Sequence, residues 1–330
     1  MFSLYRTTLP ALCLTLILPC SAHAEDGKAP EKPADATAER PALIERNQED
    51  ALALERQVPK EEQQTLQAAS DNFLALWKPA NSPTPAGVLV ILAGAGETAD
   101  WPKTVGPLRR KFPDADWGTL SLAMPDLLSD SPVARSESPA PAPKAEDTSK
   151  AAPAKDTPAD ANANIAQATA PETDSESSDS PPADASSDST DAERIFARLD
   201  AAVAYAQQQN ARSIVLLGNG TGAYWAARYM SQRQPAQVQK LVMVSVQTPL
   251  KVEHSLESLA PTLKVPTADF YYNDQGAVRQ AAQQRAQASK RLKDSNYRQV
   301  ALTAMPGNRS AEQEQLFRRI RGWLSPSEAN

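Results

Sequence analysis

The sequence predicts an α/β fold with a mainly parallel sheet and helices on both faces. Three observations carry that expectation. Short, continuous apolar runs recur along the chain, as strands covered on both faces require. Segments with apolar residues at helical spacing lie between them. One run, Ser213 to Gly218, passes through closely spaced glycines directly into a helical segment. Open α/β sheets place their sites at strand–turn–helix units of this kind.

The chain opens with Arg6, an apolar stretch from Leu9 to Leu18, and an A-x-A-like site at Ala22 and Ala24. Residues 1–24 therefore read as a signal peptide cleaved after Ala24. The apolar stretch is too short to span a bilayer, and no later run is long enough. Both cysteines, Cys13 and Cys20, fall in the removed part. The mature chain is then expected to have no disulfide and no cysteine nucleophile or metal ligand, and to keep one histidine, His254. The expectation is export, to the periplasm in a Gram-negative source.

Residues 25–85 read as a polar and helical N-terminal extension. Glu25 to Glu39 is polar and contains proline. Pro41 to Gln57 and Lys60 to Trp77 have helical character, the second through Leu66, Phe73, Leu74 and Trp77. The proline-rich stretch Pro79 to Gly87 ends it.

Residues 86–130 and 191–325 form the α/β domain. Its expected strands are Gly87 to Gly94, Trp117 to Met124, Ser213 to Gly218, Lys240 to Val246, Thr267 to Tyr272 and Tyr297 to Met305. Its expected helices are Ala192 to Gln209, Tyr224 to Gln232 and Gln275 to Leu292, and a last one capped by Ser310 with Gln313 in the capping-box position. Between the two parts, residues 131–190 hold eleven acids against four bases in a background of Ala, Pro, Ser and Thr. That composition cannot bury enough apolar area to offset its ordering entropy, so the stretch reads as a disordered acidic insertion. It accounts for the net charge of −6 and leaves the remainder near neutral, which argues against a nucleic-acid surface.

The glycine turn admits three readings. As a dinucleotide fingerprint, Gly218-x-Gly220-x-x-Ala223 lacks the acid expected at the end of the next strand. A second match, Gly94-x-Gly96-x-x-Ala99, is followed by Trp101-Pro102, which interrupts the helix it should open. Neither opens a G-K-[ST] phosphate loop, so no cofactor is expected. As a hydrolase elbow, G-x-S-x-G, the five residues are Gly218, Asn219, Gly220, Thr221 and Gly222, with glycine at the nucleophile position. The base is also missing, because Pro306-Gly307-Asn308-Arg309-Ser310 follows the last strand without a histidine. Asp274 stands at the acid position, where a turn or cap explains it equally well. Asp126 and Glu97 end strands and read as caps or turn residues. The third reading is a sharp turn that the fold needs, without catalysis.

Five segments together resemble the bacterial domain-of-unknown-function family 3530. They are FLALWKPAN, ILAGAGETADWPKTVGPLRRKFPDADWGTLSLAMPD, LLGNGTGAYWAARYM, ADFYYNDQ and MPGNRSAEQEQLFRRIRGWL. The resemblance covers about residues 65–325 outside the acidic insertion. It implies an α/β-hydrolase-like sheet and an exported bacterial protein, with no established reaction. Against the wider superfamily, Gly220 replaces serine, Asn308-Arg309 stand where histidine is expected, and Asn219 sits where many such enzymes carry histidine.

The expected function is therefore non-catalytic, binding or scaffolding through the cleft at the strand C-terminal ends. Gly94, Ala95, Gly96, Glu97, Asp126 and Asp274 would line that cleft together with the elbow residues Gly218 to Gly222. The ligand would be a small molecule or a cell-envelope fragment, and a protein partner is an open alternative. The alternative function is a serine hydrolase with a displaced nucleophile, Ser245, served by Asp274 and His254.

Overall fold

A computed structural model describes residues 45–69, 71–128, 183–292 and 295–325. All lie within one unit of the chain, 44–330. The segment read as a signal peptide, residues 1–24, and most of the acidic stretch lie outside the described residues.

Eight strands form one sheet in the order β1-β2-β4-β3-β5-β6-β7-β8. At its centre lie β3 (Gly87–Leu92), β4 (Trp117–Leu122) and β5 (Ile214–Asn219), in which every residue is buried. Their continuous apolar runs fit a sheet covered on both faces. Beyond β5 follow β6 (Val238–Val244), β7 (Thr267–Tyr272) and β8 (Tyr297–Leu302). All pairings among these six strands are parallel. The side chains of β3 divide with period two. Val88, Val90 and Leu92 pack with Ile195 and Leu199 of one helix and Ala223 and Ala227 of another. Leu89 and Ile91 pack on the other face with Leu108, Leu316 and Ile320.

The helices are α1 (Arg46–Glu55), α2 (Val105–Lys111), α3 (Ala183–Gln208), α4 (Thr221–Gln232), α5 (Leu256–Leu259), α6 (Gly276–Arg291) and α7 (Arg309–Leu324). α3 and α4 cover one face of the sheet, and α2 and α7 cover the other.

Three sequence expectations are corrected. Lys60 to Trp77 is not a helix: β1 (Gln63–Ala68) and β2 (Asp71–Lys78) form an antiparallel hairpin, and β2 joins β4 antiparallel. Residues Phe73 to Leu76 are buried because β4 offers a partner edge, which overrides the weak local helical pattern. α3 begins at Ala183, ahead of the expected start at Ala192, so residues 183–190 are helical and not part of an irregular stretch. Within that first part Asp188 is buried and pairs with Arg228 of α4 at 2.6 Å. The last helix is capped by Asn308, whose side chain accepts the Ala311 N–H at 3.1 Å, and not by Ser310.

Candidate functional site

β3 connects to β4 on one side, and β5 then lies against β3 on the other. The sheet therefore has its switch point between β3 and β5, and a crevice opens beyond their C-terminal ends. Two loops meet there, Gly94 to Glu97 after β3 and the glycine turn after β5.

The turn has elbow geometry. Gly220 sits between β5 and α4 with φ 56° and ψ −124°, a backbone state that side-chain-bearing residues rarely adopt. Its neighbours are glycine because the elements approach closely. A Cβ on Gly218 would lie 2.3 Å from Ala223 Cα, and one on Gly222 would lie 2.4 Å from the Ala93 carbonyl oxygen. A Cβ on Gly220, by contrast, would meet nothing closer than Gly94 Cα at 4.0 Å. The nucleophile position is thus empty space facing the crevice.

Acyl-transfer elbows offer oxyanion donors from the residue after the nucleophile and from the loop after β3. Here the loop donors are engaged. Ala95 N–H donates to Thr221 Oγ1 at 2.7 Å. Gly94 N–H donates to Glu97 Oε2 at 2.8 Å, and Asn219 Nδ2 donates to the same oxygen at 2.7 Å. Glu97 therefore ties the two loops together and places a carboxylate where an oxyanion would need donors.

The crevice is a cavity of about 490 Å³. Gly94, Ala95, Glu97, Asn219, Gly220, Thr221 and Ser245 form the wall nearest the elbow. The lining also includes Lys103, Thr104, Tyr272, Arg309, Glu312 and Gln313, none of which the sequence marked as a candidate site residue. Lys103 lies in a loop without a motif. Arg309 had one signal, its place after the last strand where a histidine is expected. Gln313 does not close a capping box; its Nε2 donates to the Pro102 and Lys103 carbonyls, both at 3.0 Å. Burial pushes the Tyr272 hydroxyl well above its ordinary value, and its charged hydrogen-bond partner Glu312 pushes it further.

The other expected residues separate. Ser245 lines the cavity at the end of β6, half-buried and with φ 48°. Asp274 and His254 are exposed and do not line it. His254 contributes its backbone carbonyl, which accepts the Tyr224 hydroxyl at 2.9 Å. Asp126 is also absent from the lining, because its carboxylate accepts the Asn47 N–H of α1 at 3.2 Å. Gly96, with φ 70°, turns its carbonyl toward Arg46 and likewise does not line the cavity. Among the described residues, no helix is long and apolar enough to cross a membrane.

A mainly parallel sheet of this order, with an elbow turn at its switch point, defines a protein of the α/β-hydrolase fold. The chain belongs to the family described as protein of unknown function (DUF3530), whose profile matches residues 9–326. Comparison with curated protein sequences gives no match. Among solved structures it is similar in fold to Est1E from Butyrivibrio proteoclasticus, at 9% identity and a TM-score of 0.51, over 80% of this chain and 97% of that one. It is also similar to the esterase Pf2001 of Pyrococcus furiosus, at 11% identity and a TM-score of 0.50, over 81% of this chain and 94% of that one.

Proposed function

We propose that this protein is a non-catalytic member of the α/β-hydrolase fold that works by binding a ligand in the cleft between the elbow and α7. The observation that carries the reading is the state of the oxyanion loop. Glu97 and Thr221 already take the Gly94 and Ala95 N–H groups, beside a nucleophile position that has no side chain. On the side of the β3 loop, a charge developing there would meet a carboxylate in place of free loop donors. The cleft itself remains open, with a volume suited to a small ligand.

The test is fluorophosphonate labelling of the purified, folded mature protein, with mass-spectrometric mapping. The expected result is no adduct. A stoichiometric adduct on Ser245 would overturn the reading in favour of a hydrolase with a displaced nucleophile. That second reading rests on Ser245 alone, a hydroxyl held in the cleft at a positive φ. Export belongs to the same proposal, on the strength of the leader-like residues 1–24. Sequencing of the mature N-terminus should find Glu25 first, and an intact Met1 on the purified native protein would remove export through this leader.

A further inference from the structure

Four charged side chains line the cleft: Glu97, Lys103, Arg309 and Glu312. The two acids are committed. Glu97 accepts from Gly94 and Asn219, and Glu312 takes the Tyr272 hydroxyl and the Met305 N–H. The two bases are not. Among the described residues neither Lys103 nor Arg309 meets a carboxylate, whereas Arg109, Arg110 and Lys111 of the neighbouring α2 are each paired. The two cations line the same cavity. Gln313 holds the Lys103 carbonyl, and Arg309 lies one turn before Gln313 on α7, at a spacing that shares a helix face. In the same cavity, the missing side chain of Gly220 leaves room for a ligand group. The first turn of α4 adds donors of the right sign there but does not define the site.

We propose that the cleft takes a ligand through an anionic oxygen group, carboxylate or phosphate, held by Lys103 and Arg309. This rests on the binding reading above and names the chemistry of its ligand. Arginine presents a fork that matches either group, and lysine adds a point charge. The acids keep their charge, so the lining as a whole is balanced, but they are spent on Gly94, Asn219, Tyr272 and Met305. Among the described residues, Lys103 and Arg309 are the two charged groups of the lining left without a direct partner.

Calorimetric titration of the purified protein tests it, with inorganic phosphate, acetate, methylammonium and glucose as separate probes. Inorganic phosphate or acetate should bind saturably, with a Kd on the order of millimolar or tighter. Lys103→Gln and Arg309→Gln should each weaken that binding roughly tenfold. Lys60→Gln, which removes an exposed charge outside the cleft, should leave it unchanged. A preference for phosphate over acetate marks a phosphorylated ligand, and the reverse marks a carboxylate. The proposal falls if neither anion saturates the folded protein, or if the cleft variants weaken binding no more than Lys60→Gln. Saturable binding of methylammonium or glucose alone would overturn the anion assignment and keep a binding cleft. A fluorophosphonate adduct would overturn the reading beneath it.

Discussion

Gly220 holds φ 56° and ψ −124°, a conformation that costs a residue with a side chain about 1–3 kcal/mol. In an enzyme of this fold that strain exposes a nucleophile; here the backbone keeps the shape without the oxygen. Gly220→Ser has space for its side chain, but among the described residues no histidine lines the cavity to serve it. The variant should lose about 1 kcal/mol or more of stability and hydrolyse p-nitrophenyl acetate no faster than the wild type. Strong turnover from this single change would show that a base is in reach. Gly222 differs, because its Cβ would press on the Ala93 and Leu92 carbonyls of the central strand and the residue after it. Gly222→Ala should therefore destabilise by about 3 kcal/mol in urea unfolding. The glycine spacing made this turn legible in the sequence. The grip of Glu97 on Gly94 and Asn219 was not, since Glu97 lies in the loop after β3 and Asn219 ends β5, and no local pattern records the contact.

At the scale of elements, the three central strands were legible because apolar runs buried on both faces leave an unbroken signature, while β6, β7 and β8 carried shorter apolar runs at their less covered end of the sheet. The β1–β2 hairpin was not legible. β1 is polar and lies at the sheet edge, and its turn passes through Ala69 at φ 52° without glycine, asparagine or proline at that residue. What holds the hairpin is tertiary. Glu62, just before β1, pairs with Lys78 at the end of β2 and with Arg109 of α2. Burial pushes the Glu62 carboxyl up, but hydrogen bonds from Arg109 and Lys78 outweigh it and hold the group below its ordinary value of 4.5. A carboxyl depressed in the folded state contributes stability above its unfolded value, and that contribution disappears as pH falls through the folded one. Glu62→Gln should thus be less stable than wild type at neutral pH, and the gap should close on acidification below 4.5. Urea midpoints of both proteins across that range would show it; a gap that persists in acid would mean the clamp works by packing and not by charge.

Across the whole molecule, the long excursion between β4 and α3 leaves and returns at fixed points. Leu128 N–H donates to Asp191 Oδ1 at 2.7 Å, which ties the departing chain to the helix that follows. Composition identified the excursion but could not place its end, because residues 183–190 have the same Ala/Ser/Asp content as the stretch before them. Their helical state follows from a partner far along the chain, Arg228, which buries Asp188 against α4. Two deletions separate these parts. The composition of residues 131–180 predicts that replacing them with a flexible linker of about ten residues changes only loop closure, at about 0.6 kcal/mol per halving of length. That variant should melt within a few degrees of the full chain. Extending the deletion through residue 190 also removes Asp188 and leaves the Arg228 guanidinium buried without its partner. A buried charge stripped of its pair costs about 3 kcal/mol or more, so the longer deletion should melt clearly below the shorter one. Equal melting temperatures would mean that the first turns of α3 contribute nothing to the fold, and the boundary would return to Ala192.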